Sequence, residues 1–298
     1  MQKWIIATRP WSFPVSTFSV LITAMYLFWR GWDINFWLLL WAVLGIILFH
    51  AAGNLLSDYY DFKKGIDAPD TYGSKTLTDG LLQPKQVLIF GCVMLLIAIL
   101  NGLGIAAVAG WWLLLFGGLG ALFTLLYPWM KAHALGDFCI FLEYGIIPAL
   151  GTAYTITGGM TSLSLWTDAL WAVPAFVTIT IAVLHINNTR DVTTDRRAGI
   201  RTFAMLIGKE ASIVTYILEI NLPVIWVLAS AFSGRMSWWA LLVLATMALS
   251  MPLGKQAVTL EKDDNAVNRL DEKTAQLQLL NGLILVVVFL VTGIIGRL

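Results

Sequence analysis

Two short polar stretches interrupt an otherwise apolar chain, and both carry carboxylates at helical spacing. The first is Asn54-Leu-Leu-Ser-Asp58-Tyr-Tyr-Asp61-Phe-Lys-Lys-Gly65-Ile-Asp67. The second is Asn187-Asn188-Thr-Arg190-Asp191-Val-Thr-Thr-Asp195-Arg-Arg-Ala-Gly199-Ile-Arg201-Thr202. Residues three and four apart stack on one face of a helix, so Asn54, Asp58 and Asp61 form one comb and Asn187, Asp191 and Asp195 another. Such carboxylates repel one another and call for a cation between them. Oxygen ligands, with no His or Cys in the combs, suit Mg²⁺, which takes one or two protein carboxylates and fills its remaining positions with water and phosphate oxygens. The implied substrate is a phosphate ester. Lys63, Lys64 and Lys75 near the first comb, and Arg190, Arg196, Arg197 and Arg201 near the second, would hold the rest of a polyanion. For any one of these bases a solvated loop is an equal explanation, but the combs repeat. Aligning Asn54-x3-Asp58 with Asn187-x3-Asp191 brings a second Asp, a Gly-Ile pair and a charged residue (Asp67 or Arg201) into near register, the trace of two related halves at 54–67 and 187–202.

The elements that position these residues are membrane helices. With 58% hydrophobic and 12% charged residues and a mean hydropathy of +0.78, the chain lies far from soluble norms. It is expected to be an all-α integral membrane protein, a single domain over residues 1–298. Apolar runs of spanning length fall at 11–29, 35–56, 86–108, 110–127, 137–158, 167–188, 211–232, 237–254 and 277–296, which makes nine spans. Gly110-Trp111 separates the third from the fourth without a polar loop. With the N-terminus inside, only Arg30, Arg235 and Arg297 of the 19 Lys and Arg residues lie outside, and both combs emerge on the cytoplasmic face of the cell membrane. The net charge of +1 therefore hides a polarised molecule, and no nucleic-acid partner is implied. Met1 to Pro10 lacks a signal-peptide cleavage site, so the first span is expected to stay. Pro10 and Pro14 suit the opening turn of that span. Cys92 and Cys139 are single, with no disulfide or metal pattern.

Along its whole length the chain resembles the UbiA superfamily of intramembrane aromatic prenyltransferases, whose members carry Asp-rich motifs after their second and sixth helices. Trp4-x4-Arg9-Pro10, Asp58-Tyr-Tyr-Asp61 with Gly65-x-Asp67, and Asn187-Asn188-x-Arg190-Asp191-x3-Asp195 with Gly199-x-Arg201-Thr202 look most like the 1,4-dihydroxy-2-naphthoate polyprenyltransferases of menaquinone synthesis. Two positions depart: Arg201 stands where Lys is usual, and Ala134-Leu135-Gly136-Asp137 where Gly-Leu-Gly-Glu is usual. The resemblance implies a nine-helix bundle around a central cavity, with cytoplasmic cap loops and a lateral opening for the isoprenoid tail among membrane lipids. It implies two Mg²⁺ ions on Asp58, Asp61, Asp67, Asp191 and Asp195, a polyprenyl diphosphate donor, and an aromatic acceptor that loses its carboxyl group as carbon dioxide. Cation formation would precede attack by the ring, with water kept out.

Several further side chains are candidates for substrate binding. Lys131, four residues after Tyr127, is similar to the family's Tyr-x3-Lys; a plain interfacial anchor is the alternative. Arg9 could meet the donor or the acceptor carboxylate, against simple snorkelling. Asn54 and Asn187 would orient metal ligands or diphosphate, against helix-to-helix hydrogen bonding. Tyr144 and Tyr154 are cavity candidates, with ring faces able to stabilise a cation. Trp29, Trp32, Trp37, Trp111, Trp112, Trp166, Trp238 and Trp239 are expected to form an interfacial belt. His185 is better explained as a buried hydrogen-bonded histidine than as an acid or base. The acids of the 255–276 segment alternate with bases and suggest a solvated loop, with a lid role open. Two rival readings stand beside this one: a UbiA-type enzyme with another acceptor (4-hydroxybenzoate, homogentisate, haem or a glycerol lipid), and a membrane carrier. A carrier would hold its charges near the midplane, where only Glu143 and Glu219 lie.

Overall fold

A computed structural model describes residues 2–63, 65, 75–197, 199–259 and 270–298. Among the described residues every extended element is a helix, and the one β pairing is an isolated bridge between His133 and Arg201. It opens with α1 (Gln2–Ala7), a 3₁₀ turn over Pro10–Ser12 and α2 (Phe13–Trp29). Then follow α3 (Phe36–Lys63), α4 (Pro84–Ala109), α5 (Leu113–Ala132), α6 (Gly136–Phe141), α7 (Ile147–Ile156), α8 (Leu163–Ala172), α9 (Val177–Arg190), α10 (Val192–Arg197), α11 (Phe203–Ile207), α12 (Lys209–Phe232), α13 (Met247–Thr259) and α14 (Leu270–Ile295). Among the described residues eight helical segments are long and apolar enough to cross a membrane, and nine when the bent pair Leu163–Ala175 and Val177–Arg190 counts as one span.

The sequence explains each break. Gly110, at φ 116°, stops α4 at the expected junction with α5, because a side chain there would be strained. Pro148 has no N–H to return to residue 144, and Leu142–Ile146 widens into a π turn between α6 and α7. The sixth span is expected to be continuous over 167–188 but bends by 43°. Pro174 sits in a 3₁₀ turn over Val173–Ala175 and Phe176 leaves helical geometry, so the ladder is interrupted there. The eighth span begins as a 3₁₀ helix over Trp238–Thr246, and α14 starts at Leu270, a full two turns before the apolar run suggests.

Packing places α3 along α4, α2 along α14, and α9 against both α12 and α14. Close approach depends on small residues, since lipid tails give helices no hydrophobic reason to associate. A Cβ on Gly282 of α14 would lie 2.6 Å from the Phe18 ring of α2, and one on Gly104 of α4 would lie 2.8 Å from the Trp41 ring of α3. The largest apolar core fills the half of the bundle away from the combs, around Phe18, Tyr26, Leu27, Ile156, Val227 and Phe289. At that end Asp168 accepts from Arg30 Nε (3.2 Å) and Trp32 Nε1 (2.9 Å), clasping α8 to the end of α2. Outward faces are apolar: Leu125 and Leu163 are exposed, as a lipid-facing surface requires. Trp37, Trp111, Trp112, Trp238 and Trp239 are exposed as a belt would be. Trp29, Trp32 and Trp166 instead pack against the core, because their rings turn inward from the span ends.

Candidate active site

The first comb stands on α3, which continues to Lys63 and so keeps Asn54, Asp58 and Asp61 on one face. Asp58 is only 2% exposed. Its carboxylate pairs with the Arg9 guanidinium, which arrives from the turn between α1 and α2. Arg9 holds a left-handed backbone, φ 52° and ψ 59°, a conformation that costs a non-glycine residue about 1–2 kcal/mol. That turn brings Arg9 against α3, and Asn54 pins it there, donating from Nδ2 to the Thr8 carbonyl (2.9 Å) and to Ser12 Oγ (3.0 Å). One turn deeper, His50 contacts Ser12 Oγ at 3.2 Å and Ser16 Oγ at 2.8 Å. Its ring lies 6.1 Å from that of Tyr144, which the π turn presents. Asp61, nearer the helix end, accepts from Ser57 Oγ at 3.0 Å. Asp67 and Lys64, expected to serve the metal and the phosphate, lie outside the described residues.

The second comb crosses the junction of α9 and α10 without losing its spacing. Asp191 N–H donates to the Asn187 carbonyl and Asp195 N–H to the Asp191 carbonyl, each at 2.8 Å. Arg190 grips Asp191 with two parallel bonds, 2.7 and 2.9 Å, and donates a third to Asp271 on α14 at 2.9 Å. Asp195 is buried and faces Lys131 Nζ at 3.5 Å. Burial pushes the Asp195 carboxyl above the usual carboxylate range; the Lys131 ammonium pulls it down and the Asp191 charge pushes it up again. Asn187 Oδ1 and Asp195 Oδ2 are buried without a hydrogen-bond partner.

Three comb acids are therefore each matched to a base of this chain: Asp58 to Arg9, Asp191 to Arg190, Asp195 to Lys131. Tyr127 is half-buried one turn before Lys131 on α5. Arg201 N–H donates to the Ala132 carbonyl at 3.2 Å, docking the segment after α10 on the end of α5, while its side chain is exposed. Lys75 is exposed as well. A small recess of about 10 Å³, room for about one water molecule, lies between α2, α8, α9 and the π turn, lined in part by Ser19, Thr23, Tyr144 and Phe176. Tyr154 is buried at the far end of α7, its ring 6.3 Å from that of Phe116. Sequence reasoning missed the Ser12, Ser16 and His50 group, although His50 precedes Asn54 by four residues and extends the first stripe by a turn. Glu143 accepts from Thr124 Oγ1 at 2.6 Å, whereas Glu219 lies beside Asp137 and His185, so the two acids occupy separate settings.

Two acidic combs interleaved with bases at one end of an apolar bundle match what a known family carries: residues 17–294 fit the model of the UbiA prenyltransferase family. This chain belongs to the UbiA prenyltransferase family. As a UbiA member it is a multi-pass membrane prenyltransferase, which overturns the carrier reading. It is similar to UbiA prenyltransferase domain-containing protein 1 of Danio rerio, at 34% identity over 305 residues, covering 98% of this chain and 83% of that protein. The protein of the same name from Homo sapiens is 35% identical over 301 residues, covering 98% and 83%. Among solved structures, the apo form of a UbiA homolog from Aeropyrum pernix K1 superposes with a TM-score of 0.70 at 16% identity, covering 91% of this chain and 97% of that one. A digeranylgeranylglyceryl phosphate synthase gives 0.59 at 17% identity, with 98% of both chains covered. These two likenesses concern the UbiA fold.

Proposed function

We propose that this chain transfers a polyprenyl group from a polyprenyl diphosphate to an aromatic acceptor in a Mg²⁺-dependent reaction, with 1,4-dihydroxy-2-naphthoate as acceptor, loss of its carboxyl group as carbon dioxide, and demethylmenaquinone as product. The observation that carries the reading is the pairing of Asp58, Asp191 and Asp195 with Arg9, Arg190 and Lys131 at one end of the bundle. Acids for a metal and bases for phosphate already stand side by side. The residues fit Mg²⁺: the combs offer only hard oxygen donors, and Asn187 Oδ1 and Asp195 Oδ2 are buried acceptors without a partner. Asp58, Asp61, Asp191 and Asp195, with Asp67, would hold two ions. When bound, Mg²⁺ neutralises the charge that builds on the departing diphosphate.

Other side chains of this chain bind and orient. Arg9, Arg190 and Lys131, released from their carboxylates, donate to diphosphate oxygens; Lys75 and Arg201 reach the same anion from the exposed rim. Tyr127 stands beside Lys131 on the donor side. Asn54 keeps the Arg9 turn docked, so the guanidinium returns to one place. Tyr144 turns a ring face toward the developing allylic cation, and the apolar core beneath it excludes water that would otherwise capture that cation as an alcohol. The acceptor assignment rests on the motif resemblance. The asymmetry of Lys and Arg supports a basic end facing the cytoplasm, and the same reading takes the bundle to lie in the cell membrane, with residues 1–298 as one domain of two related halves.

The test supplies purified protein with a polyprenyl diphosphate, with and without Mg²⁺, against 1,4-dihydroxy-2-naphthoate, 4-hydroxybenzoate, homogentisate, haem and a glycerol phosphate acceptor. The expected result is Mg²⁺-dependent diphosphate release and a decarboxylated prenyl product with the naphthoate. Product from another acceptor alone overturns the acceptor assignment, and turnover indifferent to chelation overturns the metal.

A further inference from the structure

Glu219 on α12, His185 on α9 and Asp137 at the start of α6 meet beneath the combs, where α9 packs against both α6 and α12. One donor atom from each lies within 4.8 Å of the other two. The His185 side chain is 0% exposed and its Nδ1 lies 2.7 Å from Asp137 Oδ2. With the ring proton on Nε2, the Nδ1 lone pair faces that oxygen, and two acceptors 2.7 Å apart are held together only by a shared proton or a cation between them. Nε2 is buried without a hydrogen-bond partner, and so are Glu219 Oε2 and Asp137 Oδ1. An imidazole nitrogen and two carboxylates thus converge. Among the described residues no Lys or Arg pairs with Asp137 or Glu219, unlike the acids of the combs.

Unpaired buried anions are costly, by several kcal/mol per ion even after relaxation. A divalent cation removes that cost for both carboxylates and satisfies the imidazole lone pair together. Mg²⁺ prefers oxygen and suits the combs; an imidazole with two carboxylates suits a borderline ion of the first transition row, Zn²⁺ foremost. A tetrahedral ion with bonds of about 2.1 Å sets its ligands roughly 3.4 Å apart, so atoms as much as 4.8 Å apart would draw together on binding.

We propose that Asp137, His185 and Glu219 form a second metal site, separate from the combs, that takes Zn²⁺ or a similar transition ion and locks α6, α9 and α12 together below the diphosphate end. A proton shared between Glu219 and His185 is the competing way to satisfy these atoms, and it predicts no bound metal. The experiment uses the full chain in lipid nanodiscs, stripped with chelator, then equilibrated with Zn²⁺ under excess Mg²⁺, desalted and assayed by elemental analysis and zinc-edge X-ray absorption. The expected result is one retained Zn²⁺ per chain with imidazole scattering in its first shell. His185→Asn and Glu219→Gln should each weaken retention at least ~10-fold, while Asp58→Asn combined with Asp191→Asn leaves it intact. No retained Zn²⁺, an absorption spectrum without imidazole, or retention lost only in the comb variant overturns the proposal. The spectrum of the unaltered chain decides the matter should either single variant fail to fold.

Discussion

Replacing Asp58 by Asn separates the structural role of the Arg9 pair from its chemical one. The change conserves volume, so the packing of α3 on α4 is kept and only charge is lost. Removing one partner of a fully buried ion pair costs about 3–5 kcal/mol. Asp58 is buried, but the Arg9 side chain is 28% exposed, so its guanidinium regains water and the amide oxygen of Asn can still accept from it. Those two reliefs reduce the expected loss of stability to roughly 1–2 kcal/mol. Turnover should suffer far more. A group that stabilises charge only as the diphosphate leaves typically contributes a factor of about 10²–10³, and Asp58 would act through the metal on that charge. The assay follows diphosphate release and product mass in nanodiscs, alongside thermal unfolding of the same preparation. A companion variant, Arg9→Met, removes the Arg9 charge from beside Asp58, so Mg²⁺ should raise its melting temperature more than that of the unaltered chain. The reasoning fails if Asp58→Asn keeps activity within threefold of the original, or if activity falls only in step with the folded fraction.

Lys131→Met removes the ammonium that pulls the raised Asp195 carboxyl down. For an acid whose folded-state value is raised, stability is greatest at low pH and is lost as pH climbs through that value, whereas metal binding needs the ionised form. The acid limb of kcat/KM should therefore move to higher pH in Lys131→Met; a limb that stays put or moves down refutes the role of this pair. Gly282→Ala places a Cβ 2.6 Å from the Phe18 ring, and overpacking the α2–α14 seam should cost about 1–3 kcal/mol, measured as a lower unfolding temperature. An unchanged melt would show that the seam yields.

The part of the site legible in the sequence was the part written as helical spacing. Asn54, Asp58 and Asp61 needed only that α3 run on to Lys63, and Asn187, Asp191 and Asp195 needed only that i to i−4 bonding survive the α9–α10 junction. Both are local conditions, set by backbone geometry and residue type. Span positions were legible for the same reason, since twenty apolar residues can satisfy their backbone in lipid only as a helix. The bend at Phe176 and the π turn at Tyr144 were foreshadowed by Pro174 and Pro148, yet the apolar runs continue across both, and hydropathy alone does not register a lost hydrogen bond.

Partner choice was another matter. Arg9, Arg190 and Lys131 carry the same charge and occupy equivalent span ends in the sequence, so nothing local says which acid each will meet. Arg9 reaches Asp58 across 49 positions because a left-handed turn, pinned by Asn54, folds α1 back onto α3. His185 finds Asp137 and Glu219 because α6, α9 and α12 converge. Residue types and periodicity determined the membrane helices, the two combs and the hard-cation chemistry they invite. Only the tertiary packing decided which charges neutralise which, because electrostatic pairing depends on distance through space, and distance along the chain carries no record of it.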